Sequence, residues 1–359
     1  MRKAYKFRLY PTKGQRERIQ FTLERCRLLY NRLLDERKVA YETHKTSLNY
    51  YDQANTFNER KKHIPALKQV HSQVLQDVAK RLDKAFQAFF RRVKSEEKPG
   101  YPRFKPVGRY DSFTYPQGGY SLNGSKLKLS KIGDVKIKLH RQPQGEFKTC
   151  TVIVKNGKYY VSLSCEVEPK ILPKSKGTIG IDLGVKHLAI TSDGEFYEHP
   201  KFLRESERKQ RVKQRAVSRK KKGSHRRRKA IRELSKLHEH IANQRKDYAH
   251  KVSRKLVNRY GLIAFENLNT QGMVKNHHLA KSIVDASWNQ LVQYTTYKAE
   301  EAGRRVVLVD PKNTSQLCSN CGEIVPKKLS ERVHRCEHCG YVQDRDINAA
   351  QNILKRALT

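Results

Sequence analysis

The 359-residue sequence predicts a multidomain α/β protein, and three observations carry that prediction. A strand-like opening leads into two long apolar stripes at helical spacing. A lysine-studded stretch of two-residue alternation fills the middle of the chain. The second half alternates short apolar runs with helical segments and carries three acidic motifs. These are Ile179-Gly180-Ile181-Asp182-Leu183-Gly184, Ala264-Phe265-Glu266-Asn267 and Asp344-Arg345-Asp346-Ile347-Asn348. The length suffices for two or three domains with their own cores.

Each element has a local reason. Residues 4–10 alternate at period two and stop at Pro11, which marks a strand. Ile19, Leu23, Cys26, Tyr30 and Leu33 recur at helical spacing, as do Leu67, Val70, Val74, Val78, Leu82, Ala85 and Phe89, so residues 12–95 read as helical. Pro99-Gly100 and Pro102 end that pattern. Residues 109–166 read as β-rich, with Asn156-Gly157 as a hairpin turn. Pro169 to Gly177 reads as a linker. Strands follow at 178–182, 187–191 and 195–197, then a basic helical region over 201–259 broken near Lys222-Gly223-Ser224. A strand at 262–265, a helix at 283–303, a strand at 306–309 and a last helix at 347–358 complete the chain. The order β-β-β-α-β-α-β-α, with a cysteine segment before the last helix, is that of an RNase H core.

Composition narrows the partners. The chain holds 76 Lys+Arg against 35 Asp+Glu, a formal charge of +41 that would repel itself without a polyanion. No window approaches the roughly 18 apolar residues of a membrane span, and Met1-Arg2-Lys3-Ala4-Tyr5-Lys6 is not the start of a secretory signal. Nucleic acid is the expected partner. Four of the seven cysteines form two CxxC pairs and Cys26, Cys150 and Cys165 are scattered, which fits a reducing compartment.

Asp182 ends an apolar strand, where a carboxylate is costly unless paired or bound to metal. The alternative for Asp182 is an edge strand with a solvated head. Glu266 could be an ordinary charged strand end, and Asp346 or Asp344 an ordinary helix cap. Their joint placement in an RNase H order favours a metal-binding triad of Asp182, Glu266 and Asp346. Hard divalent cations such as Mg²⁺ or Mn²⁺ take oxygen ligands, and a carboxylate-bridged pair sits roughly 3.5–4 Å apart. Such a pair activates water and stabilises a leaving 3′-oxygen.

Cys318-x2-Cys321 and Cys336-x2-Cys339 are separated by fourteen residues, and Gly322 and Gly340 follow the second cysteine of each pair. Four thiolates make a closed tetrahedral site, so one structural Zn²⁺ is expected, with no necessary role for His334 or His338. Residues 201–260 hold 23 Lys/Arg against 5 Asp/Glu. The densest runs, Arg219-Lys220-Lys221-Lys222 and Arg226-Arg227-Arg228-Lys229, are candidates for phosphate contact, the alternative being a solvated face. Tyr110, Phe113 and Tyr115 lie among basic residues and are candidates for base stacking.

Taken with the opening Tyr5-Lys-Phe-Arg-Leu-Tyr-Pro-Thr12, the segments Gly180 to Ile190, Phe265-Glu-Asn-Leu268, Ser315 to Gly322, Cys336 to Gly340 and Asp344 to Ile353 resemble the TnpB family. These are insertion-sequence-encoded relatives of type V CRISPR effectors and Fanzor proteins. The resemblance covers nearly the whole chain. It implies an RNA-guided DNA endonuclease with a RuvC-like RNase H fold, an inserted four-cysteine zinc element, a wedge β-barrel and a helical recognition region. Mapped here, the wedge would be 1–10 and 109–174, the recognition helices 11–108, RuvC 175–310 and 341–359, and the zinc element 311–340. The catalytic acids would be Asp182, Glu266 and Asp346, with the role of Asp344 in the third motif left open. Guide RNA and double-stranded DNA would be the partners, in a prokaryotic cytoplasm at the nucleoid. Base pairing would supply target specificity while the protein reads only a short adjacent motif. Two rivals stay open: a cleavage-silent RNA-guided repressor, and an RNA-independent transposase or resolvase.

Overall fold

A computed structural model describes residues 1–328 and 331–359. Residues 329 and 330 of the expected zinc segment lie outside the described residues. The chain divides into two units, 1–168 and 169–359.

In the first unit, β1 (Arg2–Tyr10) turns Tyr5, Phe7 and Leu9 inward by simple alternation. Helix α1 (Lys13–His44) begins in a capping box between Thr12 and Gln15 and ends at Lys45 in the left-handed region (φ 54°). The expected helical segment continues as α2 (Tyr50–Ala54), α3 (Phe57–His63), a 3-10 turn at Pro65–Gln69 and α4 (Ser72–Lys94). It is therefore two long helices joined by short pieces. Six strands follow: β2 (Ser112–Tyr115), β3 (Tyr120–Asn123), β4 (Lys126–Leu129), β5 (Gly133–Lys138), β6 (Glu146–Lys155) and β7 (Lys158–Glu166). With β1 they form an antiparallel sheet in the order β2-β6-β7-β1-β5-β4-β3. Asn156 and Gly157 both have positive φ (53° and 73°), the geometry of a two-residue hairpin turn. Helix faces and the inner sheet face share one apolar core.

The second unit is built on β8 (Thr178–Asp182), β9 (His187–Thr191), β10 (Phe196–Glu198), β11 (Leu262–Glu266) and β12 (Arg305–Val309). Their order is β10-β9-β8-β11-β12, antiparallel through β8 and parallel from β8 to β12. Between β10 and β11 run α5 (Phe202–Ser218) and α6 (His225–Arg259), which pack on one another. After β11 come α7 (Thr270–Met273), α8 (His277–Ala286) and α9 (Trp288–Ala302). The single helix expected over 283–303 is thus two, because Ser287 turns to φ 53° between them. The cysteine segment contains β13 (Val333–Arg335) and β14 (Val342–Asp344), and α10 (Arg345–Leu358) closes the chain. No helix among the described residues is long and apolar enough to cross a membrane.

Candidate active site and metal centre

β8 is the middle strand of its sheet, so Asp182 is not an edge residue and the solvated-edge alternative fails. β8 and β11 are parallel and paired up to Ile181 and Phe265. Asp182 and Glu266 are the next residue on each strand and leave the sheet side by side on one face. Helix α10 crosses β8 at very close range: a Cβ on Gly180 would stand 2.0 Å from the Ala350 carbonyl oxygen. Gly180 serves that approach. Gly184 is tight as well, since a Cβ there would meet the His187 carbonyl at 2.9 Å.

Asp346 lies in the first turn of α10. The helix cap is Asp344, whose Oδ1 accepts from the backbone N–H of Asp346 (2.8 Å) and of Ile347 (3.2 Å). Asp346 is therefore free of capping duty. The Arg345 guanidinium donates to its Oδ1 (2.8 Å) and Arg332 reaches its Oδ2 at 3.5 Å. Glu266 is buried, and Thr314 Oγ1 donates to its Oε1 at 2.5 Å.

Electrostatics link the three acids. Asp182 is held well above the usual carboxylate range by burial, then by the negative charges of Glu266 and Asp346. Glu266 is also raised, chiefly by burial, with the Thr314 hydroxyl and Arg356 opposing. A site that confines negative charge against its own repulsion is suited to a cation. The carboxylates are coupled but not gathered. Among the described residues the four cysteines form the one cluster of three or more His, Cys, Asp or Glu whose ligand atoms all lie within 4.8 Å.

That cluster is Cys318, Cys321, Cys336 and Cys339, with the Cys318–Cys339 and Cys321–Cys336 sulfurs each 3.6 Å apart. Gly322 and Gly340 have φ of 86° and 72°, and their N–H groups bond back to the Cys318 and Cys336 carbonyls at 2.9 Å. The backbone N–H of Tyr341 and the Asn320 amide hold the Cys339 thiol down to about 6. Four sulfurs in knuckle turns with N–H donors fit a tetrahedral soft-ligand ion.

Sequence reasoning missed the groups that tie this centre to the acids. Asn348 accepts from the Ser319 N–H (2.8 Å) and donates to the Leu317 carbonyl (2.8 Å). Asn352 donates to the carbonyls of Thr314 (2.9 Å) and Leu317 (2.7 Å). Both asparagines are buried on α10. One loop thus touches Glu266 through Thr314, joins the Cys318 knuckle and seats the helix that carries Asp346. Two buried amides four residues apart beside an acidic motif were the available signal.

The aromatic candidates need correction. Phe113 and Tyr115 are each 1% exposed on the inner face of β2, and the Tyr115 hydroxyl donates to the Ser130 carbonyl. Tyr110 packs on the same core with its hydroxyl buried. Phe113 and Tyr115 offer no ring for stacking, because the period-two alternation of β2 turns both inward. Tyr110 lies before the strand and is partly buried, with the Arg81 guanidinium 5.7 Å from its ring. The basic candidates lie where α5 gives way to α6. Arg219, Lys221, Lys222, Arg226, Arg228 and Lys229 are exposed, and Lys220 and Arg227 partly so.

Comparison with known proteins matches three stretches of the chain to family models. Residues 1–46 match a helix-turn-helix domain, 162–277 a probable transposase, and 288–353 a Cas12f1-like TNB domain. In this chain residues 1–46 are β1 and the single helix α1. A putative RNA-guided DNA endonuclease of Streptomyces pristinaespiralis is 33% identical over 100% of this chain and 90% of its own. The putative RNA-guided DNA endonuclease InsQ of Escherichia coli K12 is 33% identical over 98% of this chain and 91% of its own. Among solved structures, the mini-RNA-guided endonuclease CRISPR-Cas_phi3 superposes with a TM-score of 0.50 at 9% identity. That match covers 100% of this chain and 92% of the other and extends the likeness of fold to Cas12-type effectors.

Proposed function

The chain belongs to the TnpB family of transposon-encoded RNA-guided DNA endonucleases, and from that premise we propose that it cuts guide-matched DNA at a divalent-metal centre formed by Asp182, Glu266 and Asp346. The observation that carries this reading is the convergence of the two strand ends and the α10 N-terminus, where burial and like charge together raise Asp182. Two Mg²⁺ or Mn²⁺ ions, when bound, supply activation of the attacking water and stabilisation of the leaving 3′-oxygen. Asp182 and Glu266 would offer carboxylate oxygens to the ions from adjacent strands, and Asp346 would close the site from the helix. Asp344 keeps the helix end formed through its Oδ1.

The sheet order and the parallel β8-β11-β12 set support a RuvC-like assignment for 175–310 and 341–359. The joining of 1–10 with the strands of 109–174 in one sheet supports the wedge reading, and the helices of 11–108 the recognition reading. The sulfur cluster supports one structural Zn²⁺ in the segment 311–340. With a formal charge of +41, guide RNA and double-stranded target DNA are the partners, at the prokaryotic nucleoid.

The test is expression with the native flanking DNA, sequencing of co-purified RNA, and cleavage of matched targets with and without Mg²⁺. One discrete RNA and guide-matched, metal-dependent cutting support the reading. RNA-guided binding without cutting leaves a repressor. Cutting or joining that ignores RNA leaves a transposase or resolvase.

A further inference from the structure

Two of the rings expected to stack on bases, Phe113 and Tyr115, are buried, yet a different set of rings in the first unit is not. Tyr41 on α1, Phe90 on α4 and Tyr101 beyond it are 58%, 55% and 46% exposed. They line a cavity of about 270 Å³ together with Phe86, Phe89 and Leu48. That is slightly below the usual range of small-molecule pockets, about 300–1,000 Å³. It suits one planar ring system and is too small for a folded peptide.

The cavity is built firmly. Tyr101 stands edge-on to Phe86 (5.5 Å between centroids) and to Phe89 (5.4 Å), and Phe89 is edge-on to Phe90 at 5.3 Å. Behind them the Arg37 guanidinium lies 5.1 Å from the Phe86 centroid and is satisfied by Gln53 and Asp83. Its charge is paired with Asp83, so the back wall is a fixed support for the Phe86 ring rather than an unpaired ligand-seeking group. The rim is basic. Lys45 sits 5.5 Å from the Tyr41 ring, and Arg92 reaches within 3.9 Å of where a Cβ on Gly100, next to Tyr101, would stand. Arg91 and Lys94 lie in the same last turn of α4 as Arg92.

We propose that this slot takes one unpaired nucleobase of the guide RNA, the ring stacked among Tyr41, Phe90 and Tyr101 and the flanking phosphates against Lys45 and Arg92. Exposed aromatic faces inside a cationic rim match the two halves of a nucleotide. RNA is the favoured occupant because protein readers of RNA capture bases splayed from loops, bulges and ends. The target DNA strand instead arrives paired to the guide. The slot rests on the proposed RNA-guided function but uses none of its nuclease residues.

The experiment uses the full-length protein–RNA complex made with 4-thiouridine at successive unpaired positions, irradiated and mapped by peptide mass spectrometry. A crosslink from one position to peptides around Tyr41, Phe90 or Tyr101 supports the slot. Tyr41→Ala with Phe90→Ala is expected to abolish that crosslink and weaken RNA binding roughly tenfold to a hundredfold. The ring-retaining pair Tyr41→Phe and Phe90→Tyr is expected to keep both, which separates stacking from folding. RNA bound with crosslinks only elsewhere overturns the slot and spares the RNA-guided reading. Crosslinks here from the displaced DNA strand overturn the assignment to RNA. A protein that binds no RNA overturns the function and the slot together.

Discussion

At the scale of single residues, Asp182 shows how a site can act against stability. Burial and the charges of Glu266 and Asp346 raise it, so the folded chain holds that proton more tightly than the unfolded chain. The folded state then binds more protons, and stability falls as pH climbs from about 4, the unfolded value, through the raised folded value. Asp182→Asn removes the repulsion. Without added Mg²⁺ it should melt above the parent at about pH 8, and the two should converge toward about pH 4. Cleavage should drop by at least about a hundredfold, the loss typical of a preorganised electrostatic group, while RNA binding stays. Melting curves at several pH values, paired with RNA binding and cleavage assays, check all three. An Asn variant that still cuts would remove Asp182 from the site. Asp182 alone was ambiguous, and what singled it out in the sequence was the joint placement of three acidic motifs in one strand–helix order. Thr314 was not legible, since its partner Glu266 is 48 residues away and an isolated threonine announces nothing.

Among the elements, the packing of β8 against α10 sets whether the acids meet. Gly180→Ala would place a methyl 2.0 Å from the Ala350 carbonyl and 2.7 Å from the Leu354 nitrogen. The helix must then move off the strand. Overpacking of this kind costs about 1–3 kcal/mol, occasionally more, and the displacement should depress cleavage beyond what the remaining folded fraction explains. Urea unfolding alongside activity per folded molecule separates the two effects. The knuckle is the second element. Cys318→Ser should lose zinc and lower stability, read by metal stoichiometry and thermal unfolding; full zinc occupancy would refute the four-cysteine site. Asn352→Ala leaves the Thr314 carbonyl without its side-chain donor, at about 1–3 kcal/mol, while the Leu317 carbonyl keeps Asn348, and should weaken Mn²⁺ binding at the acids with zinc retained. Cysteine spacing and strand alternation are local, so the sequence displayed the knuckle and most strands directly. The break at Ser287 and the inward turn of Phe113 and Tyr115 depend on tertiary packing. Periodicity alone does not say which face of a strand a core will claim.

For the molecule as a whole, charge is the dominant fact, and its distribution decides what can be tested. A surplus of +41 is spread over the chain, but the junction of α5 and α6 concentrates eight cations between Arg219 and Lys229. None of Arg219–Lys222 or Arg226–Lys229 forms an ion pair with an acid among the described residues, whereas Lys213 and Lys236 nearby both reach Glu233. Lys229 is near enough to help lower Glu233, but cations at such density still repel one another, and a phosphate backbone relieves them by releasing its own counterions. If Arg226, Arg227, Arg228 and Lys229 neutralise single-stranded RNA, changing all four to Gln should flatten the plot of log affinity against log salt. The slope should fall by about 0.7 for each phosphate left without its cation, and so by at most about 3. Target choice should not change, because base pairing sets it and backbone contacts carry no sequence information. Filter binding of the RNA at several salt concentrations, with cleavage of matched and mismatched targets, reads both. A slope left unchanged would return this junction to the solvent. A changed target preference would mean that these cations help to read sequence, a task that backbone-neutralising cations suit poorly.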